Sequence, residues 1–351
     1  MKKSSASQYL QEQVIDTDRC AYCGACVNLC PYFFAYNDRI VVRDQCSSAN
    51  GGCLDVCPRI PTDFPALSRL LFDEKNFTPE LGSVKAFYIT RAADENVRKD
   101  AQHGGTVTAL VKLALEEGLI DAAVLTGEAE PMLPAGVSVD RNGQPGRYAK
   151  SSFVASPNIA ALNELLKTEV KSVCIVATPC QGQALAKMRT SRVPWIKENS
   201  EKVRLVIGLF CGWAFLSSKL KAVLSGKIQE MDSIIGMDIP PSRHNVLEVF
   251  TTGGKISISL DEVQKSIRPA CRVCSDMTAE FSDLSVGSAR LPEGWHEAKS
   301  WNQVIVRTEF GEKLMNLAQS KGVLEFREVP EQSFEKLKKA SMNKKKAAGT
   351  A

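Results

Sequence analysis

Cysteine is the residue that most constrains what this chain can fold into. The sequence holds 12 cysteines among 351 residues, and seven of them lie within the first 57. The N-terminal letters MKKSSASQYLQEQ contain no apolar stretch of the kind that signal peptides have. In a chain that stays in a reducing compartment, many cysteines indicate metal ligation or redox chemistry rather than a disulfide framework. We therefore expect a cytoplasmic protein with a small, sulfur-rich N-terminal domain.

The spacing of the first four cysteines is that of a bacterial ferredoxin motif. The run CAYCGACVNLCP has the form Cys-x2-Cys-x2-Cys-x3-Cys-Pro and supplies Cys20, Cys23, Cys26 and Cys30. In ferredoxins, three such thiolates hold one iron–sulfur cubane and the fourth crosses to another cluster. Structural zinc is disfavoured, because zinc ribbons use two separated Cys-x2-Cys pairs. Gly24 is expected to let the backbone come close to the cluster.

The second half of the ferredoxin motif is incomplete. The segment CSSANGGCLDVCP supplies only Cys46, Cys53 and Cys57. By the ferredoxin pattern, Cys57 completes the first cluster with the first three cysteines of the preceding run. Cys30, Cys46 and Cys53 then remain for a second cluster that lacks its fourth thiolate. This cluster is a 3Fe-4S centre, a 4Fe-4S centre completed by Asp44, Ser47 or solvent, or it is absent; the sequence favours a second cluster.

From residue 84 onward, strand-like and helix-like segments alternate. VKAFYITRA and VKSVCIVATP read as strands, and TVTALVKLALEEGL reads as an amphipathic helix. The pattern predicts an α/β fold with a mixed, largely parallel sheet and flanking helices, preceded by a small bacterial ferredoxin-like iron–sulfur domain. We assign the segments as a flexible N-terminus (1–16), the ferredoxin-like domain (17–60), a linker (61–85), the main domain (86–340) and a basic flexible tail (341–351).

Charge and hydropathy exclude some functions. The net charge is only +4, so nothing indicates a nucleic-acid partner. No apolar run approaches the roughly 18 residues of a membrane span. Basic residues concentrate near the C-terminus in KLKKASMNKKK. Such a run is typical of a solvated end, and docking on an acidic partner is the less favoured alternative.

Four further cysteines point to a second metal site. Ligands of α/β sheets bind at the carboxyl edge of the strands, and Cys180 and Cys211 each follow a predicted strand. Cys271 and Cys274 form a Cys-x2-Cys pair in a later loop, so four thiols can converge at that edge. The alternative is that they are small buried hydrophobic residues without a metal. Cys174 lies in the middle of an apolar strand and is interpreted as core packing.

The same edge carries a candidate anion or cofactor site. Gly104 and Gly105 precede a predicted helix, which leaves backbone N–H groups at its N-terminus free to bind a phosphate. Two glycines before a helix are also common in simple turns. Further hydrogen-bond donors are expected from Lys150, Ser151 and Ser152, and from Ser156, Pro157 and Asn158 at the start of the next helix.

With these motifs in place, the chain resembles the family of beta subunits of coenzyme F420-reducing hydrogenases and dehydrogenases. The motifs that carry the resemblance are GGTVTALVKLALEEGLIDAAV, SPN, ATPCQGQALAKM, IGLFCGW, ACRVCSDMTAEFSDLSVGSA and VIVRT. They cover nearly all of residues 86–310. The ferredoxin-like extension is similar to that of members that act as F420H2 dehydrogenase input subunits or that work with formate dehydrogenases and hydrogenases.

The resemblance implies one FAD and an adjacent 4Fe-4S cluster in the main domain, with hydride exchange between the flavin and coenzyme F420. The positions that match the two flavin segments of the family are Gly104, Gly105, Thr106, Val107 and Thr108, and Ser156, Pro157 and Asn158. The positions that match its cluster ligands are Cys180, Cys211, Cys271 and Cys274. His103 departs from the acidic or small residue of the family and leaves the hydride partner open. No catalytic acid or base is assigned.

The resemblance also implies partners: subunits of hydrogenase, formate dehydrogenase, heterodisulfide-reductase-like or respiratory complexes, with the chain cytoplasmic or peripheral to a membrane complex. Two other functions stay open. One is an electron-wiring subunit without a substrate of its own. The other is a flavin oxidoreductase linked to NAD(P)H or ferredoxin, although no Gly-x-Gly-x-x-Gly follows a strand.

Overall fold

The computed structural model describes residues 4–240 and 245–349. Parts of both predicted flexible termini, 1–3 and 350–351, lie outside the described residues. The strands are β1 (Phe33–Tyr36), β2 (Arg39–Val42), β3 (Phe77–Thr78), β4 (Gly82–Ser83), β5 (Ala86–Ala92), β6 (Ala122–Glu130), β7 (Leu133–Asp140), β8 (Val173–Ala177), β9 (Val203–Leu209), β10 (Ile234–Asp238), β11 (Val246–Thr251), β12 (Gly254–Ser259), β13 (Leu284–Ser288), β14 (Asn302–Val306) and β15 (Leu324–Arg327).

Helices connect these strands. The α-helices are α1 (Ala6–Leu10), α2 (Gly52–Val56), α3 (Phe64–Leu71), α4 (Glu95–Asp100), α5 (Thr106–Glu116), α6 (Asn158–Leu165), α7 (Pro179–Arg189), α8 (Pro194–Glu201), α9 (Ser217–Ser225), α10 (Leu260–Val263), α11 (Trp295–Ala298), α12 (Glu309–Ser320) and α13 (Glu331–Gly349). A π-helix spans Gln11–Ile15, and 3₁₀ turns span Glu74–Asn76, Pro145–Tyr148, Met231–Ser233, Gln264–Ser266 and Pro269–Cys271.

An eight-stranded mixed sheet forms the main domain, which confirms the predicted fold class. Its strand order is β15-β5-β14-β13-β9-β8-β6-β7. The pairs β13–β9, β9–β8 and β8–β6 are parallel, and the other pairs are antiparallel. Five strands (β5, β6, β8, β9 and β13) therefore run in one direction and end at the same edge of the sheet.

Both faces of the sheet are covered because its central strands are apolar on both sides. On β8, Cys174 packs with the cluster formed by α5 and α12, while Ile175 packs with α6 and α7 on the other face. This two-sided burial is the pattern of strands that helices cover on both faces. Cys174 lies inside this core, in agreement with its interpretation as a packing residue.

The ferredoxin-like segment packs closely against the main domain. It consists of the β1–β2 hairpin, α2 and the cysteine loops. The side chain of Asn163 on α6 donates to the carbonyl oxygens of Ala25 and Val27 at 3.1 and 2.7 Å. A Cβ on Gly24, whose φ is +84°, would lie 2.5 Å from the carbonyl oxygen of Pro157. Gly24 thus permits close contact with the start of α6, and it also lines the small cavity formed by the first ferredoxin cysteines.

Both segments that were expected to be flexible ends are helical where the structure describes them. Near the N-terminus, α1 and the π-helix bury Ala6, Leu10 and Val14 against the ferredoxin-like core. Near the C-terminus, α13 continues to Gly349, and Ser341 at the start of the expected tail is buried. The flexibility of these ends stays a prediction.

A second small sheet was not foreseen. Strands β10, β11 and β12 form an antiparallel sheet that packs with α9 and α10 around Phe215 and Leu247. None of the helices in residues 4–240 and 245–349 has the length and apolar content needed to cross a bilayer.

Candidate cofactor and metal site

A cavity of about 1170 Å³ opens at the carboxyl edge of the sheet. Its walls include residues at or just after the ends of β8, β9 and β13, and residues from the loop that follows β5. The residues after these strands meet there because the five strands share one direction. This is where an α/β sheet is expected to bind its ligand.

The glycine segment forms one wall of this cavity, with one exception. Gly105, Thr106, Val107 and Thr108 line the cavity, and Gly104 does not. A Cβ on Gly104 would lie 2.8 Å from the side-chain oxygen of Asn302, so this glycine serves internal packing. The Thr106 backbone N–H is already bonded to the same Asn302 oxygen at 3.2 Å.

Gly105 has a conformational role at the start of α5. It is the N-cap residue and has φ +78°, a left-handed conformation that glycine adopts without strain. A Cβ there would lie 3.2 Å from Val97 and 3.3 Å from Ala92 rather than against the cavity. The absence of its side chain therefore shapes the turn that presents α5, and does not itself make room for a ligand.

The second predicted flavin segment also lines the cavity, and hydrogen bonds hold it in place. Ser156 and Asn158 line the cavity, while Pro157 does not. The Ser156 hydroxyl donates to the Asn158 side-chain oxygen at 2.6 Å, and the Asn158 amide donates to the Thr126 hydroxyl at 2.8 Å. These bonds fix the entrance of α6 against the sheet.

The other predicted donors also lie at the cavity. Lys150, Ser151 and Ser152 all line it. The Lys150 ammonium donates to the carbonyl oxygen of Ile235 at 3.1 Å, and the Ser152 hydroxyl donates to the carbonyl oxygen of Val154 at 3.1 Å. Two of the three side chains thus already have partners within the protein.

Four cysteines converge on the cavity from separate parts of the chain. Cys180 is on the first turn of α7, Cys211 follows β9, and the last two come from one loop; the set is Cys180, Cys211, Cys271 and Cys274. Burial raises the pKa of the Cys211 thiol, and the nearby thiols of Cys271 and Cys180 raise it further. Burial likewise raises the pKa of the Cys271 thiol. Burial and the mutual repulsion of thiolates keep such groups protonated. A bound metal centre stabilises the thiolates, because its positive charge favours loss of the protons.

Four thiols line this cavity, and four is the number of thiolates that a 4Fe-4S cluster takes, one for each iron. Among the described residues, no group of three His, Cys, Asp or Glu side chains is arranged to hold a single metal ion. All 12 cysteines are free thiols.

The first ferredoxin set encloses a smaller apolar cavity. Its lining includes Cys20, Cys23, Cys26 and Cys57. Burial raises the pKa of the Cys20 thiol to about 11. For Cys23, burial raises the thiol pKa most, and the thiol of Cys180 raises it next. The first ferredoxin set and the main-domain set are therefore immediate neighbours.

The remaining three cysteines also form a group. Burial raises the pKa of Cys53 to about 12, with further contributions from the thiols of Cys30 and Cys46. Cys46 differs, because hydrogen bonds from Ser7 outweigh burial and lower its pKa. The Ser7 hydroxyl lies 3.2 Å from the Cys46 sulfur, a contact that the sequence did not reveal. The two proposed protein ligands for the fourth position, Asp44 and Ser47, are both exposed.

Three polar residues that line the main cavity were not among the predicted cofactor-binding residues, although His103 was noted as a departure from the family. Arg59, His103 and Gln303 all line this cavity, and each has a buried side-chain atom without a hydrogen-bond partner: Nε of Arg59, Nδ1 of His103 and Oε1 of Gln303. Burial lowers the pKa of His103, and nearby Arg290 lowers it as well, although Asp238 opposes them. Buried polar atoms usually have partners, so unpaired atoms in a cavity indicate a polar ligand. For Gln303 the available signal was the polar pair Asn302-Gln303 at the start of the otherwise apolar strand β14.

Lys344 is the missed residue from the predicted flexible tail. Its ammonium donates to the carbonyl oxygens of Cys211 and Asp276 at 2.7 and 2.8 Å, and the residue lines the cavity. It thus places a positive charge beside the four thiols.

The mixed α/β sheet and the three groups of thiols are typical of an iron–sulfur protein. In agreement, residues 14–33 match the family described as 4Fe-4S binding domain. Residues 87–163 match the N-terminal family of the coenzyme F420 hydrogenase/dehydrogenase beta subunit, and residues 170–332 match its C-terminal counterpart. The chain belongs to this family of coenzyme F420 hydrogenase/dehydrogenase beta subunits, which confirms the resemblance.

The similarity to two relatives covers the ferredoxin-like segment as well as the main domain. The chain is 29% identical to the coenzyme F420-dependent sulfite reductase of Methanocaldococcus jannaschii over 341 residues, which is 93% of this chain and 50% of that protein. It thus spans about half the length of that relative. It is 28% identical to a subunit of the F420H2 dehydrogenase of Methanosarcina mazei, over 95% of this chain and 91% of that protein.

A solved structure has the same fold. A chain of the F420-reducing [NiFe] hydrogenase complex from Methanosarcina barkeri superposes with a TM-score of 0.71 at 26% identity, covering 78% of this chain and 92% of that chain.

Proposed function

We propose that this chain is an F420-linked iron–sulfur flavoprotein oxidoreductase subunit. In this proposal a bound FAD would exchange one hydride, which carries two electrons, with coenzyme F420, and the iron–sulfur clusters would carry these electrons one at a time. The observation that carries the proposal is that one cavity has both predicted flavin segments and four cysteines on its walls.

The residues of the cavity fit a large, polar, anionic cofactor. Its volume of about 1170 Å³ is slightly larger than that of ordinary ligand pockets, which run from about 300 to 1,000 Å³. The first turn of α5 lines it, and the positive end of a helix dipole favours phosphate groups. The unpartnered atoms of His103 and Gln303 provide hydrogen-bonding capacity for the rest of a ligand.

The order of the thiol groups supports an electron route out of the cavity. The main-domain set lines the cavity. The first ferredoxin set lies next to it, because the Cys180 thiol contributes to raising the pKa of Cys23. The set with Cys53 lies next to the first ferredoxin set, because the Cys53 thiol contributes to raising the pKa of Cys26. We propose 4Fe-4S clusters at the first two sets. At Cys30, Cys46 and Cys53 we propose a cluster with three protein thiolates, either 3Fe-4S or 4Fe-4S with an additional ligand.

Partners are inferred from the relatives. The F420H2 dehydrogenase relative and the hydrogenase chain are parts of larger enzymes, as their names state, whereas the sulfite reductase relative carries about as much sequence again beyond the matched part. We propose that this chain passes electrons to or from subunits of a hydrogenase, formate dehydrogenase, heterodisulfide-reductase-like or respiratory complex, in the cytoplasm or at a membrane complex.

The test is reduction of the anaerobic protein by different two-electron donors. F420H2, NADH and NADPH are added separately, and flavin absorbance is followed together with iron, sulfide and flavin content. The proposal predicts bound flavin and bleaching of the flavin by F420H2. It also predicts about 12 iron atoms per chain with three 4Fe-4S clusters, or about 11 if the third cluster is 3Fe-4S; about 8 would show that the third set of cysteines is empty. If NADPH or NADH bleached the flavin and F420H2 did not, the nicotinamide would be the hydride carrier instead of coenzyme F420. Bound zinc without iron, or no flavin, would refute the proposal.

A further inference from the structure

Arg59 occupies a position between two sets of cysteines. It follows Cys57 and Pro58 in the ferredoxin-like segment. It lines both the main cavity and the smaller cavity of the first ferredoxin set. The residue thus touches two sites whose sequence positions are more than a hundred residues apart.

Proposed ligands of both sets border Arg59. The smaller cavity that it lines is also lined by Cys57. The main cavity that it lines is also lined by Cys180 and Cys274. One residue therefore lies between proposed ligands of two different clusters.

The guanidinium has cysteine thiols as its electrostatic neighbours, with Cys274 and Cys180 first among them. Its Nε is buried and has no hydrogen-bond partner. A charged group that is partly removed from water needs a compensating partner, and the thiols around this one become negative when they ligate metal.

We propose that Arg59 is a positioning residue that electrostatically couples the main-domain cluster to the first ferredoxin cluster. This inference rests on the proposed function, because it requires clusters at both sets. The fixed positive charge of Arg59 favours the reduced state of both clusters, since hydrogen bonds to the sulfurs and local charge set their reduction potentials. Transfer between the sites oxidises one by one electron and reduces the other by one, and Arg59 keeps its proton throughout.

The experiment compares Arg59→Met with the matched control Arg272→Met. Arg272 also lies beside a proposed ligand, Cys271, and loses the same charge, but its side chain is exposed. Both variants and the wild-type protein are titrated anaerobically with dithionite, and reduced clusters are counted by electron paramagnetic resonance. Dithionite makes the result independent of which hydride donor the protein uses.

At the potential that half-reduces the wild-type clusters, Arg59→Met is expected to lower the reduced-to-oxidised ratio about tenfold for the main-domain cluster. A tenfold change corresponds to about 59 mV for one electron. Arg59→Lys is expected to recover most of the ratio, and Arg272→Met to stay within about twofold of wild type.

Unchanged ratios in Arg59→Met with full iron content would overturn the inference, and so would an equal shift in Arg272→Met. If Arg59→Met fails to retain iron, Arg59→Gln, which keeps donors but no charge, takes the same test with the same two outcomes. A protein that holds clusters but is not reduced by F420H2 would fail the proposed function and leave this comparison intact.

Discussion

We expect the ion pair between Asp38 and Arg268 to stabilise the contact between the ferredoxin-like segment and the main domain. Asp38 is in the β1–β2 turn, and Arg268 lies just before the loop that holds Cys271. Their side chains are only 3% and 5% exposed. The Asp38 carboxylate also accepts a hydrogen bond from the Ser217 backbone N–H at 2.6 Å.

The magnitude follows from what each substitution leaves behind. Asp38→Asn keeps an acceptor for Ser217 but leaves the Arg268 guanidinium with a backbone oxygen at 2.9 Å and the ring of Tyr22 at 5.1 Å. An uncompensated buried charge costs about 3–5 kcal/mol. Burial raises the pKa of Asp38 even beside Arg268, so desolvation offsets much of the attraction within the pair.

The assay is a double-mutant cycle by thermal unfolding of the anaerobic protein, followed by circular dichroism. Asp38→Asn is expected to lower the free energy of unfolding by about 3 kcal/mol, or the midpoint by about 5–10 °C. The double variant Asp38→Asn/Arg268→Met removes both charges and should lose only about 1 kcal/mol. A loss below about 1 kcal/mol in the single variant, or simple additivity in the double variant, would refute the reasoning.

Three further predictions concern the site and its surroundings. Cys271→Ala should lose about 4 iron atoms per chain by iron and sulfide assay, whereas Cys174→Ala, in the core, should lose none; the reverse result would refute the ligand assignment. Gly105→Ala should lower the unfolding free energy by about 1 kcal/mol, because alanine is strained at φ +78°; an unchanged thermal midpoint would contradict this role. Burial raises the pKa of Glu280 to about 7, with a further contribution from Asp276. Because the folded protein holds the Glu280 proton more tightly than the unfolded chain does, this carboxyl stabilises the fold at pH values below its unfolded-state pKa. The contribution is lost as the pH rises through the folded-state pKa of about 7. The stability of Glu280→Gln should therefore fall less between pH 5 and 8 than that of wild type, and parallel curves would exclude this carboxyl as the cause.

The sequence was most informative where spacing and chemistry were local. The cysteine run at 20–31 and the strand–helix alternation from residue 84 predicted the ferredoxin-like region and the mixed sheet correctly. Strand ends also correctly predicted that Cys180 and Cys211 would meet, because parallel strands end at one edge.

The sequence was least informative where long-range packing decides. Nothing local indicates that Arg59 reaches Cys274, or that Lys344 returns from the C-terminal helix to Cys211. The two glycines show the same limit. Gly24 and Gly105 both have positive φ, and at each the close approach of neighbouring protein atoms also favours glycine, which the sequence alone does not indicate.

The most direct test of the account is a rapid anaerobic mixing experiment with F420H2 in which flavin and cluster absorbance are recorded on the same sample. The account predicts that flavin absorbance falls first and cluster absorbance follows. It also predicts that Cys271→Ala keeps the first phase and slows or abolishes the second. Cluster reduction that precedes flavin reduction, or that proceeds at the wild-type rate in flavin-free protein, would contradict the claim that one cavity joins the hydride carrier to the thiol-bound clusters.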